Sequence, residues 1–164
     1  MNEVSLSVSA LSGRLDDLGL TFIANGLESF LADPRRGEAT LLESLREMVD
    51  IEVSARGERT ARTRLKLSGM PQIKRIEEFD LSWLKGGLPQ SRFEELKSLA
   101  FIERKENVIF LGPSGVGKTH LMLALGQKAC VSGYTAYYIT CREAIERLLR
   151  ARDQNRLRRA LMWF

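Results

Sequence analysis

The sequence predicts an α/β protein in which a small helical domain precedes a phosphate-binding domain. Apolar residues recur at helical spacings through the first 55 residues. A glycine-rich octet at 112–119 then stands between an apolar run and a helical pattern, which is the order strand, turn, helix. A second apolar run follows at 135–139. We therefore expect a helical domain over residues 1–70, a connector and helix over 71–100, and the phosphate-binding domain over 101–164.

Helical periodicity begins near the N-terminus, where residues 6–32 predict two short helices separated at Gly19. Thr40-Leu41-Leu42-Glu43 has the pattern of a capping box, in which a hydroxyl and a carboxylate satisfy unpaired amides at a helix start. This box predicts a third helix. We expect its buried face to carry four apolar side chains: Leu42, Leu45, Val49 and Val53.

The connector begins where Gly69-Met70-Pro71 interrupts the helical pattern. Ser91-Arg92-Phe93-Glu94 has the form of a second capping box and predicts a helix to about Ala100. A third box, Thr140-Cys141-Arg142-Glu143, follows the apolar run 135–139 and predicts the last helix.

The octet at 112–119 predicts a loop that binds nucleotide phosphates. Its glycines let the backbone bend tightly, so that successive amides converge on phosphate oxygens, and the following helix adds its positive N-terminus. Lys118 is expected to reach the β- and γ-phosphates, and the Thr119 hydroxyl to hold Mg²⁺. The predicted cofactor-binding residues are Gly112, Pro113, Ser114, Gly115, Val116, Gly117, Lys118 and Thr119. The expected surroundings are a strand at 107–111, a helix from Lys118 to about Cys130, and a second strand at 135–139.

Charge is unevenly distributed along the chain. Residues 1–55 carry 4 basic and 10 acidic side chains, a net charge of −6, whereas residues 56–164 carry 21 basic and 11 acidic side chains, a net charge of +10. This asymmetry suggests an anionic partner, with nucleic acid first among the candidates. Four basic residues at helical spacing form a candidate DNA-binding face, and a solvated face explains them equally well: Arg56, Arg59, Arg62 and Lys66.

Composition and spacing argue against several other classes of protein. No apolar run approaches the roughly 20 residues of a membrane helix, and the N-terminus lacks a signal-peptide pattern, so we expect a cytoplasmic protein. Cys130 and Cys141 have no metal-ligand spacing with the single histidine, His120, and are expected to be reduced thiols. We interpret His120 as a partly buried helix residue.

With these motifs in view, the chain resembles the IstB-like transposition helper ATPases, strongly from residue 70 to 140 and weakly before. The resemblance implies a small N-terminal helical domain followed by an AAA+ domain. It also implies ATP and Mg²⁺ as cofactors, DNA and a transposase as partners, and a homo-oligomer in the full-length family. The residues that carry it are Met70-Pro71, Phe79-Asp80, Phe101-Ile102-Glu103, Asn107-Val108-Ile109-Phe110-Leu111-Gly112-Pro113, Gly115-Val116-Gly117-Lys118-Thr119-His120-Leu121, Ala124-Leu125-Gly126 and Gly133-Tyr134.

The chain departs from the family at its C-terminal end. The family continues into an acidic strand, the Walker B element, that holds Mg²⁺ and orients the attacking water. Since this sequence ends about where that strand begins, we expect a truncated AAA+ domain with only its first two strands, no catalytic residues and no ATP hydrolysis. The strand at 107–111 then has no hydrogen-bonding partner unless 135–139 pairs with it directly.

Other functions remain compatible with these residues. Helicase loaders of the DnaC type share much of the pattern, so a replication protein related to them is the nearest alternative. Another is a non-catalytic remnant that binds DNA or a partner while its phosphate loop is vestigial. A small-molecule P-loop kinase fits less well, because such enzymes usually place the loop near the N-terminus.

Overall fold

A computed structural model describes residues 3–34, 39–81 and 87–162. The chain divides into two compact units, Met1–Thr60 and Ala61–Phe164. This division falls inside one long helix, so the polypeptide passes from one unit to the next without a loop.

In the first unit, helices α1 (Glu3–Asp17) and α2 (Thr21–Leu31) pack against each other. The turn between them contains Gly19 at a φ of +75°, and the Ser12 hydroxyl donates a hydrogen bond to the Ala24 carbonyl oxygen at 2.8 Å. Ile23, Ala24 and Leu27 of α2 are buried. The prediction of two short helices separated at Gly19 is therefore confirmed.

Helix α3 (Leu41–Leu67) starts at the predicted capping box. The Glu43 carboxylate accepts from the Thr40 amide and hydroxyl, and the Thr40 hydroxyl accepts from the Glu43 amide. The predicted buried face is wrong, because Leu42, Leu45, Val49 and Val53 are between 51% and 77% exposed. Periodicity shows which residues share a face of a helix, but only a packed neighbour decides which face is buried.

The second unit surrounds helix α6 (Lys118–Val131). Its other elements are a short 3-10 helix (Ile76–Glu78), α4 (Gln90–Ser98), α5 (Ala100–Glu103), α7 (Cys141–Asp153) and α8 (Leu157–Leu161). The core consists of seven buried apolar residues, four of them on α6: Ile76, Phe93, Leu99, Leu121, Ala124, Leu125 and Ala129. The helix predicted after the glycine-rich octet is thus the centre of this unit.

Two of the remaining helix starts differ in how they are capped. The box at Thr140 and Glu143 forms as predicted at the start of α7. The box predicted at Ser91 does not form, because α4 already begins at Gln90, after Pro89, and has no side-chain cap. Proline is favoured at helix starts, and here it places Ser91 inside the first turn instead of before it.

Neither predicted strand forms in the described residues: segments 107–111 and 135–139 contain no strand pairing. The Phe110 side chain packs against the core, whereas Ile109 is 76% and Leu111 90% exposed. The amide of Tyr138 donates to the carbonyl oxygen of Ser68 at 2.6 Å. A strand requires a neighbour for its amides and carbonyls, and these two segments do not supply one for each other.

Within the described ranges, no helix is long and apolar enough to cross a membrane. Cys130 is buried and Cys141 is exposed, and both are free thiols. Over the same ranges, no group of three or more His, Cys, Asp or Glu side chains is arranged to hold a metal ion.

Candidate phosphate-binding site

The glycine-rich octet forms a loop that leads directly into α6. Gly115 and Gly117 have φ values of +83° and +87°, in the left-handed region that L side chains rarely occupy. Gly117 is the N-cap residue of α6, so the second of these turns starts the helix. The sequence spacing of the glycines is therefore matched by the backbone geometry that a phosphate-binding loop requires.

The Lys118 side chain lies over the beginning of the loop. Its Nζ atom donates to the carbonyl oxygen of Gly112 at 2.9 Å and to that of Pro113 at 2.5 Å. Thr119 is exposed in the first turn of α6, next to Lys118. The predicted cation and the predicted hydroxyl thus lie at the same end of one helix.

The backbone amides of residues 114–117 donate to no other group of the described chain. They adjoin the N-terminus of a 14-residue helix, where aligned peptide dipoles give a partial positive charge. A cavity of about 520 Å³ opens beside the loop. Its walls combine loop residues with apolar side chains from elsewhere in the unit: Phe79, Leu88, Ile109, Leu111, Gly112, Pro113, Val116, Gly117, Lys118 and Leu121.

Two side chains that the motif does not contain also lie at the loop. Phe79, from the segment after the 3-10 helix, approaches Gly117, and His120 meets the Phe79 ring edge-on with the ring centroids 5.3 Å apart. A second cavity, of about 270 Å³, lies between residues 78–80, His120 and the loop at 115–117. Sequence reasoning gave Phe79 no role at the loop, since no local pattern links residues so far apart in the chain.

The candidate DNA-binding residues on α3 differ in their surroundings. The Arg56 guanidinium donates to the Gly19 carbonyl oxygen at 2.7 Å and lies 3.4 Å from the Glu52 carboxylate. Glu52 is buried and accepts from the Phe22 and Ile23 amides at 3.0 and 3.1 Å, so it caps α2 from a distant helix. Arg62 and Lys66 are exposed. Arg56 therefore has a structural role within the first unit.

A glycine-rich loop with these backbone angles, followed by Lys118 at the N-terminus of α6, is the arrangement of a P-loop. The model of the family described as IstB-like ATP binding protein matches residues 13–163. The chain belongs to this family. The α/β P-loop class follows from that membership, while the described residues of this chain form helices and irregular segments.

Three relatives come from bacterial insertion sequences and are named as their ATP-binding proteins. The IS21 protein of Pseudomonas aeruginosa is 37% identical over 147 residues, which are 90% of this chain and 55% of the relative. The IS5376 protein of Geobacillus stearothermophilus is 38% identical over 122 residues, 74% of this chain and 48% of the relative. The IS232 protein of Bacillus thuringiensis subsp. berliner is 31% identical over 151 residues, 92% and 60% respectively. The chain therefore spans about half the length of these relatives.

Proposed function

We propose that this chain binds ATP at residues 112–119 and serves as an ATP-binding accessory protein in DNA transposition. The observation that carries the proposal is the P-loop itself, with its left-handed glycines, its unpaired amides and Lys118 at the start of α6. The names of the relatives support ATP as the nucleotide and an insertion sequence as the context.

The residues of the loop divide the work of binding. The amides of 114–117 and the helix N-terminus supply hydrogen bonds and partial positive charge to the phosphate oxygens. Lys118 exchanges its two carbonyl partners for the β- and γ-phosphates. The exposed Thr119 hydroxyl would hold Mg²⁺, an ion that usually keeps few protein ligands beside those from substrate and water.

We assign nucleotide binding to residues 112–119, and we assign no hydrolytic step to them. Phosphoryl transfer depends on positioning the attacking water and stabilising charge on both sides of the reacting phosphorus, for which Lys118 and Thr119 alone are too few. The proposal accordingly names no catalytic residue. The division into domains at 1–70, 71–100 and 101–164 and a cytoplasmic location belong to the same proposal.

DNA is a second proposed ligand, and a transposase and further copies of the chain are its proposed protein partners. The charge asymmetry of the sequence and the exposure of Arg62 and Lys66 on α3 support DNA contact, with Arg59 on the same helical face. Arg56 contributes less, because Gly19 and Glu52 already engage its guanidinium. The insertion-sequence origin of the relatives supports the transposase.

One experiment tests the nucleotide proposal and its main rival. The chain and its Lys118→Ala variant are titrated with a fluorescent ATP analogue and Mg²⁺, and separately with duplex DNA at two salt concentrations. We expect saturable ATP binding that the variant loses, because the amides alone hold the phosphates weakly. Salt-sensitive DNA binding in both proteins, with ATP binding in neither, would favour the remnant with a vestigial loop. In a separate binding assay, binding of the chain to a replicative helicase instead of a transposase would favour the helicase-loader alternative.

A further inference from the structure

Phe79 touches the phosphate loop from a segment far upstream in the sequence. We propose that Phe79 is a positioning residue for the P-loop: its ring fixes Gly117 and His120, and through them the start of α6, and thereby raises the affinity for nucleotide. The effect on affinity rests on the proposed ATP binding. The effect on the loop does not, and it can be measured without nucleotide.

The contact between Phe79 and the loop is made at the backbone. A Cβ atom added to Gly117 would lie 3.2 Å from Phe79 Cε2 and 3.5 Å from Cζ. A side chain at position 117 would therefore make an unusually close contact with the ring, which would have to move by a few tenths of an ångström. Because Gly117 is both the last turn of the loop and the N-cap of α6, a ring packed here limits movement of the phosphate-binding backbone.

The Phe79 ring is itself held by a residue of the core. It stacks on the buried Phe93 ring, with centroids 5.7 Å apart and an interplanar angle of 29°. The preceding 3-10 helix is anchored by Ile76, which is 3% exposed and part of the core. A side chain fixed by packed neighbours can hold the loop in place, whereas a mobile one could not.

His120 extends the contact into the first turn of α6, the turn that carries Lys118 and Thr119. The edge-to-face geometry of the two rings, at 85°, is one that aromatic pairs prefer. The His120 Nε2 atom is buried and has no hydrogen-bond partner among the described residues. Phe79 is a ring that His120 packs against, so loss of Phe79 removes this contact.

A loop that is already in its binding conformation loses less conformational freedom when phosphates arrive, so affinity rises without any contact between Phe79 and the ligand. Residues that act in this way alter Kd by about two- to thirtyfold, which corresponds to about 0.5–2 kcal/mol. The loss should be the same for any ligand that uses the loop, because Phe79 acts on the backbone that all of them share.

The test compares Phe79→Leu with Phe101→Leu. Both residues are half-buried phenylalanines packed on the same core cluster, but only Phe79 touches the loop. Each variant is titrated with Mg-ATP and with Mg-tripolyphosphate, which has phosphates and no base, and its thermal midpoint is recorded. His120 is the only histidine, so one imidazole NMR signal reports the contact directly.

We expect Phe79→Leu to weaken the binding of both ligands by the same factor. The variant should also shift the NMR signals of His120 and of the 115–117 amides before any ligand is added. Phe101→Leu should lower the thermal midpoint and leave affinities and signals unchanged. A loss confined to ATP would overturn the proposal, since Phe79 would then contact the base. Equal losses in both variants would also overturn it, as a general stability effect.

Failure of the two proposals can be told apart. If the unaltered chain binds neither ligand, the proposed ATP binding is wrong and so is the effect of Phe79 on affinity. The loop contact is then judged by the NMR signals alone. Unchanged His120 and loop signals in Phe79→Leu would show that Phe79 does not position the loop, whatever the chain binds.

Discussion

Gly117 meets two separate constraints. Its φ of +87° belongs to a region that costs an L side chain about 1–2 kcal/mol, and its missing Cβ leaves the space that the Phe79 ring fills. Gly57 has neither constraint: it lies inside α3, exposed, with nothing within 4 Å of an added Cβ. Glycine is therefore required by the backbone geometry at position 117 and is not required at position 57.

Alanine substitutions at these two glycines should have opposite effects. We expect Gly117→Ala to destabilise the chain by about 1–2 kcal/mol and to weaken Mg-ATP binding, because backbone strain and the close approach of Phe79 displace the loop. Gly57→Ala should stabilise by about 0.5–1 kcal/mol, since alanine is the better helix former. Urea denaturation and ATP titration of both variants measure this. Tight ATP binding by Gly117→Ala would show that the loop does not need this backbone conformation.

The charged residues of α3 also have roles that their residue types do not reveal. Arg56 falls on the helical face that the sequence offers to DNA, but its guanidinium is engaged by the Gly19 carbonyl and by Glu52. Glu52 in turn caps α2, although no capping pattern includes it, because the amides that it accepts from are about thirty residues earlier. Such contacts depend on how helices pack, which helical spacing does not reveal.

At the scale of elements, the capping boxes are the most predictable features. Two of the three predicted boxes form, at Thr40 and at Thr140, because all their groups lie within four residues. The third fails at Ser91, where Pro89 starts the helix earlier. In the box at Thr140, hydrogen bonds from the Thr140 hydroxyl and then from its amide lower the pKa of the Glu143 carboxyl below its usual 4.5.

We expect Thr140→Ala to destabilise the chain by about 1 kcal/mol at neutral pH, the usual cost of losing an N-cap. A carboxyl whose pKa is lowered in the folded state stabilises that state above its unfolded pKa. The contribution is lost as the pH falls from about 4.5 through the lowered pKa. The difference in thermal midpoint between the two proteins should therefore shrink between neutral pH and pH 3.

Thr60→Ala is the matched control for this prediction. The Thr60 hydroxyl donates to the Arg56 carbonyl oxygen inside α3 and caps nothing. Its removal should have a small effect on the thermal midpoint that does not change with pH. If the difference in thermal midpoint between the unaltered chain and Thr140→Ala stays constant down to pH 3, Glu143 takes no part in the cap.

At the scale of the whole molecule, the question is whether segment 107–111 belongs to the cooperative core. The apolar run reads as a buried strand, but Ile109 is 76% exposed while Leu121 of α6 is 3% exposed. Burial of an apolar side chain, and not its presence in the sequence, determines its contribution to stability.

Substitutions at Ile109 and Leu121 should show whether segment 107–111 is part of the core. We expect Ile109→Thr to change the free energy of unfolding by less than about 0.5 kcal/mol, as for other exposed sites. Leu121→Ala should cost about 2–5 kcal/mol by leaving a cavity beside α6. Urea denaturation of the chain measures both. A cost of several kcal/mol for Ile109→Thr would show that this segment is buried in solution, as a paired strand would be.

The sequence by itself determined the helices α1, α2, α3 and α6, the caps at Thr40 and Thr140, and the glycine-rich turn that starts α6. These depend on periodicity, glycine geometry and hydrogen bonds between residues a few positions apart, all of which are local. Only the tertiary structure decided that 107–111 has no strand partner in the described part of the chain, that the apolar face of α3 is exposed, that Glu52 caps α2, and that Phe79 packs on Gly117. Each of these depends on a neighbour distant in the chain, and local spacing carries no information about which distant residue will be that neighbour.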